Sequence, residues 1–244
     1  MATQFEQALL RSAAYNALSL AFLYPEGDAG AVMAEKLRNL AAGALSVPWP
    51  GVIAAAEAAD LSLQGFSPQD MQDAFLAIFG HTVPVDCPPY EAEYDQAHLF
   101  QKSQTLADVA AAYAAFGVSP SAQFRDRQDH LSMEMAFMDL LTFKEAYAVS
   151  QGHGEDAVAI CRKGQETFLV EHLSTWAKTF AQRVERKSGP DNPYLYFVRL
   201  LDAFIDEECA GFDVTPLNKK AAVGAGLDKP RATPLTTVAA GGDA

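Results

Sequence analysis

Apolar residues recur every three or four positions along most of this chain, which is the spacing of one face of an α-helix. Phe5, Leu9, Ala13, Ala17 and Leu20 hold that period and predict a first helix from Thr3 to Tyr24, ended by Pro25, whose ring cannot continue it. Asp28 is placed to cap a second helix, Ala29 to about Ala44, with Val32, Met33, Leu37 and Leu40 inward and Pro48 and Pro50 beyond its end. A short third helix over Val52 to Ala59 leads to Ser67-Pro68, a cap followed by proline in the first turn. This pair opens a fourth helix through Met71, Phe75, Ile78 and Phe79, closed by Gly80.

Residues 81 to 101 show no helical period and carry Pro84, Pro88 and Pro89, so they read as a long ordered loop in which Tyr90 and Tyr94 offer rings to bury. Helix resumes near Thr105 and runs through Val109, Ala112, Tyr113 and Phe116 to Gly117. The stretch Phe124 to Met138 is charged and polar at first, then apolar nearly all round at Leu131, Met133, Met135, Ala136, Phe137 and Met138. That pattern predicts a central helix, buried on most sides and reaching about Ser150. Asp126 is the expected N-cap, with Asp129 three residues on, both at the positive end of the helix dipole. His130 and Glu134 then fall four apart on one face. A polar cluster of Asp126, Arg127, Asp129, His130 and Glu134 is therefore expected at the mouth of an apolar core.

A single long helix from about Glu155 to Lys187 follows, with Val158, Cys161, Phe168, Leu169, Leu173, Trp176, Phe180 and Val184 in register, ended by Ser188-Gly189-Pro190. Pro193 opens the last helix, whose face is Tyr194, Phe197, Val198, Leu201, Phe204 and Ile205, ending at Gly211. From Phe212 onward glycine, alanine, threonine and proline dominate without a period. The expected organisation is a helical domain over 1–211 and a flexible tail over 212–244. No segment alternates long enough to form a sheet and no repeat is visible, so the expected class is all-α, one helical bundle.

Charge narrows the function. The formal net charge is -13. The tail carries four basic residues and three aspartates, a net of +1, which leaves -14 on the helical body. Such a surface repels phosphate and argues against a nucleic-acid partner, whereas a cationic partner suits it. Cys87, Cys161 and Cys209 are odd in number, far apart and without C-x-x-C spacing, as expected in a reducing compartment. The N-terminus has no basic start with an apolar run behind it, and no apolar run is long enough to span a bilayer. The expected location is the cytoplasm.

Catalytic readings find little support. His130, Asp129 and Glu134 could serve a metal-dependent hydrolase, yet no H-E-x-x-H pattern or second histidine at ligand spacing accompanies them, and His81, His98, His153 and His172 are scattered singly. No G-x-S-x-G or phosphate-cradling glycine loop is present. His130 and Glu134 also read as two polar groups satisfying each other at a helix entrance. Met133, Met135, Met138, Phe137 and Phe143 read as core, or as the lining of an adaptable groove for an apolar segment. A groove of that kind beside Glu91, Glu93, Asp95, Asp126 and Asp129 would suit a peptide with a basic start and an apolar continuation, because carboxylates grip guanidinium bidentately.

Five stretches carry a resemblance: Arg11 to Pro25 (RSAAYNALSLAFLYP), Phe75 to Gly80 (FLAIFG), Cys87-Pro-Pro-Tyr-Glu, Asp108 to Gly117 (DVAAAYAAFG), and Asp126 to Met138 (DRQDHLSMEMAFM). In this order they resemble the TorD/DmsD/NarJ family of molybdoenzyme maturation chaperones across about residues 9 to 210. The Cys-Pro-Pro-Tyr-Glu form is similar to the delta-type chaperones of dimethyl sulfide, ethylbenzene, selenate and chlorate molybdoenzymes. The family's Glu-Arg-Pro-Asp-His-Leu appears here with Asp126 for the glutamate and Gln128 for the proline, the Asp129-His130 pair being intact. The resemblance implies an all-helical, non-catalytic cytoplasmic chaperone, monomer or homodimer, with no cofactor of its own. It would bind the apo catalytic subunit of a molybdopterin enzyme, at its twin-arginine signal peptide, and hold it for cofactor insertion before export. Carried over by position, Tyr90, Glu91, Asp126, Asp129 and His130 form the recognition site, with Arg127 and Glu134 beside them. The readings left open are the hydrolase and a permanent structural subunit of the redox complex.

Overall fold

Thr3 and Glu6 form a reciprocal capping box: the Thr3 hydroxyl accepts from the Glu6 N–H and the Glu6 carboxylate accepts from the Thr3 N–H. The helix it starts, α1 (Gln4–Ala21), is followed by α2 (Ala29–Ala44), α3 (Pro50–Ser62) and α4 (Pro68–Phe79). Ser67 and Asp70 repeat the capping box at α4, and Gly80, at φ 68, stops it where a side chain would be strained. After the loop come α5 (Leu99–Ala115), α6 (Leu131–Gln151), α7 (Glu155–Phe168), α8 (Ser174–Lys187) and α9 (Pro193–Gly211). The computed structural model describes residues 2–80, 86–94, 99–121 and 126–216, with backbone alone at 99–101. The expectations for His81, Asp95, His98, Phe124 and the tail beyond 216 lie outside the described residues.

The fold is all-α, with no strand among the described residues. Helix α1 lies along α6, α9 packs on α3 and α8, and α7 packs on α6. Between them sits an aromatic core in which Phe180 meets Phe22, Phe79 and Trp176 at ring distances of 5.4, 6.3 and 5.9 Å, and Tyr15 meets Phe204 edge-on at 4.7 Å. Cys87, Cys161 and Cys209 are buried free thiols. No helix of the described residues is long and apolar enough to cross a membrane.

Four sequence expectations are corrected. Helix α1 does not bury its Phe5–Leu9–Leu20 stripe, which is exposed, but the face Ala8, Arg11, Ala14, Tyr15 and Leu18. In an alanine-rich helix both faces are apolar, and the tighter side, carrying an arginine and a tyrosine, wins the core. Val32 is likewise outside, at 48% exposure. Asp126 does not cap α6; the helix begins at Leu131 with His130 as N-cap. Finally, the expected helix 155–187 is interrupted by a π-turn, Leu169–Leu173, between α7 and α8. Past α9, Phe212 and Val214 fold back against the core.

Candidate functional site

The loop segment 86–94 lies across the start of α6 and is stitched to it by backbone. Leu131 N–H donates to the Pro89 carbonyl at 2.9 Å and Glu91 N–H donates to the Asp129 carbonyl at 3.0 Å, which sets Tyr90 opposite His130 as an antiparallel bridge. This pairing holds His130 extended, at φ -73 and ψ 136, after a turn at 128–129, and so delays the helix to Leu131. His130 then caps it, its Nδ1 accepting from the Ser132 N–H at 3.1 Å. The proline that the resemblance leads one to expect at 128 is replaced by a tie. The Gln128 side-chain amide donates to the Leu106 carbonyl at 2.6 Å, and the Gln128 backbone carbonyl accepts from the Tyr113 hydroxyl at 2.9 Å, joining this turn to α5.

The expected site residues are neighbours, but most face inward. Asp129 is fully buried: one oxygen accepts from Arg127 Nε at 2.9 Å, the other from Arg127 Nη2 at 2.6 Å and from the Ala92 N–H at 3.0 Å. The same guanidinium reaches Glu93 at 2.8 Å and lies 4.5 Å over the Tyr90 ring. Tyr90 donates its hydroxyl to Asp126 at 2.8 Å, and Asp126 itself is exposed. Glu91 is buried and paired with His172 in the π-turn, 2.9 Å from its Nδ1. Glu134 is buried and accepts from Trp176 Nε1 at 3.0 Å. A guanidinium is therefore already held here, by this chain's own Arg127. What a partner can touch is Asp126, Glu93, Arg127 and the rim of Tyr90. Among the described residues no group of three histidines, cysteines or carboxylates could hold a metal ion. Met135 and Met138 are core and Met133 is half-buried, and no methionine groove beside the acids is seen among the described residues.

A large apolar hollow among the described residues lies elsewhere, between α1, α2 and α6. It has about 650 Å³, walls of Leu9, Ala13, Leu140 and Phe143, and a polar edge where Ser12 and Asn16 donate to Asp139. Sequence reasoning missed His172 and Trp176 as partners of Glu91 and Glu134. Nothing local marks them, and the only signal is their four-residue spacing on one helical face.

Two protonation states follow from burial. Burial lowers His130 from 6.5 to about 4 against the opposing pull of Asp126 and Asp129, so it is neutral near pH 7, as an accepting Nδ1 requires. Its contribution to stability is present above pH 6.5 and is lost as pH falls toward about 4. Burial, then the Glu91 carboxylate, pushes Glu134 well above its usual 4.5, so the folded chain keeps a proton that the unfolded chain gives up. Stability from this group is intact below pH 4.5 and erodes as pH rises through the folded value. The slope is about 1.4 kcal/mol per pH unit. Glu134→Gln should therefore match the parent near pH 4 and gain on it as pH rises above 4.5 in urea unfolding. A difference constant across pH would contradict a protonated Glu134.

A family model described as "Nitrate reductase delta subunit" matches residues 28–182. The chain is also 26% identical, over 210 residues, to the "Perchlorate reductase assembly chaperone protein" of Dechloromonas aromatica strain RCB. That alignment covers 82% of this chain and 87% of the relative.

Proposed function

The chain belongs to the nitrate reductase delta subunit family, and on that premise we propose that it is a cytoplasmic assembly chaperone for the apo catalytic subunit of a molybdopterin reductase. It is a non-catalytic protein that holds its client, at a twin-arginine leader, until the cofactor is inserted. The whole helical body over 1–211 serves as the binding unit, as monomer or homodimer, and the tail over 212–244 is an accessory to it.

One observation carries the recognition part of this reading. Arg127 shows what the mouth accepts: a guanidinium lying on Tyr90, forked onto Asp129 and touching Glu93. A client arginine can take the outward oxygen of Asp126, or displace Arg127 or Lys102, which between them already hold both oxygens of Glu93, and the surplus negative charge of the body speeds its approach. The α1–α2–α6 hollow offers a seat for the apolar run behind the arginines. Burying about 400 Å² of such a run gives about 10 kcal/mol gross at ~25 cal/mol/Å². After the cost of immobilising a flexible peptide, a micromolar Kd, about -8 kcal/mol, is within reach, and a chaperone that must let go needs no more.

The test is calorimetric titration with a synthetic peptide of two adjacent arginines followed by an apolar run. Asp126→Asn with Glu93→Gln should weaken binding about tenfold at low salt, since charged hydrogen bonds contribute about 1.5–3 kcal/mol each before screening. Circular dichroism should be unchanged, because Asp126 is exposed and Glu93 half-exposed. Equal affinity for parent and variant would remove the acidic mouth from recognition.

A further inference from the structure

Between α5, α6 and α7 lies a separate hollow of about 330 Å³, walled by the rings of Phe116, Phe137 and Phe168 with Lys163 and Glu171 at its edge, and reached from within by His172. We propose that this hollow binds a single phenolic ring, held between the phenylalanines and by a hydrogen bond between its hydroxyl and His172 Nε2.

Three features converge on it. The π-turn adds a residue to the helical turn and so brings His172 under the hollow, a device that recurs where a helix must aim a side chain. The Glu91 carboxylate, itself buried, grips Nδ1 at 2.9 and 3.2 Å and fixes the ring, which turns Nε2 toward the hollow. His172 is only 4% exposed, and its Nε2 has no hydrogen-bond partner among the described residues. Nε2 is not one of the sealed, unpartnered polar atoms of the core, so it keeps accessible surface that a ligand hydroxyl entering the hollow can meet. The wall is also shaped: a Cβ on Gly164 would stand 2.3 Å from the Phe116 ring, so glycine there lets that ring settle onto α7.

The choice of ring follows from the chemistry. The volume is at the small end for ligand sites and admits one ring. A phenol hydroxyl both donates and accepts, so it satisfies Nε2 whether His172 is neutral or protonated. The ring can belong to a tyrosine of a bound polypeptide or to a free phenol.

The two sources separate by titrating p-cresol and toluene, then N-acetyl-tyrosine N-methylamide and its phenylalanine counterpart, with the histidine ring nitrogens followed by NMR. p-Cresol should bind at least tenfold tighter than toluene and shift the His172 Nε2 resonance. The same preference between the blocked amino acids assigns the ring to a polypeptide, whereas binding of p-cresol alone assigns it to a free phenol. Equal binding of p-cresol and toluene, or an unmoved His172 signal at millimolar ligand, overturns the proposal. His172→Phe should abolish the preference, and if it fails to fold the parent's resonance decides. Asp126→Asn with Glu93→Gln leaves these titrations unchanged, so this inference stands or falls apart from the acidic mouth.

Discussion

Arg11→Met should lower the free energy of unfolding by about 3–5 kcal/mol at neutral pH, measured by urea denaturation. Arg11 is 7% exposed and forks onto Glu208 at 2.6 Å through both Nε and Nη2, while Nη1 reaches Glu145 at 3.3 Å. Tyr15 donates to the same Glu208, and Gln165 and Arg162 to Glu145, so one guanidinium joins α1, α6, α7 and α9. Methionine fills the space and keeps the helix, but leaves the buried Glu208 carboxylate with the Tyr15 hydroxyl alone and takes one of the donors of Glu145. The loss is about a fifth or more of the stability of an ordinary domain. Adding Glu208→Gln should recover part of it by removing one stranded charge. If the double variant is as unstable as the sum of the singles, the network is not the cause.

Asp129→Ala should cost about 2–4 kcal/mol, slightly less because Arg127 keeps Glu93 and one-third exposure. Its distinctive effect is local. The variant frees the Ala92 N–H and the guanidinium together, so amide exchange at Ala92 and Glu91 should rise far more than at α9, and protease should cut near 86–94 first. Uniform acceleration along the chain would instead mean that Asp129 is one more core contact. The same result bears on the acidic mouth: substituting Asp129 damages the frame of the site, whereas Asp126 and Glu93 report on recognition.

Proline, glycine and capping residues made the helix ends legible. Ser67-Pro68, Gly80 and Pro193 act locally, through backbone angles and the first-turn N–H groups, and α4 and α9 lie where those signals put them. The acid cluster was legible as a cluster, since Tyr90, Glu91 and residues 126–134 do meet. Its orientation was not. Whether Asp129 faces water or Ala92 depends on a bridge to residues 38–42 positions earlier, which no local pattern encodes. The outward stripe of α1 was misassigned for a related reason. Arg11 and Tyr15 look like surface until Glu208, 197 and 193 residues away, is known to receive them. The π-turn leaves the apolar period of 155–187 nearly intact, so a continuous helix was the natural reading.

The partners of α1 lie far downstream: Asp139 at a separation of 127 residues, Glu145 at 134 and Glu208 at 197. At about 5–20 residues per second of translation, the ribosome makes Glu208 roughly 10–40 s after Arg11. Until then Arg11 has only Glu145 as a counter-ion, without the two-pronged grip of Glu208, and the closing of such wide loops sets a slow pace even after release. Nascent chains therefore stay open until their last helix emerges, and a product terminated before Glu208 lacks the residue needed to finish folding.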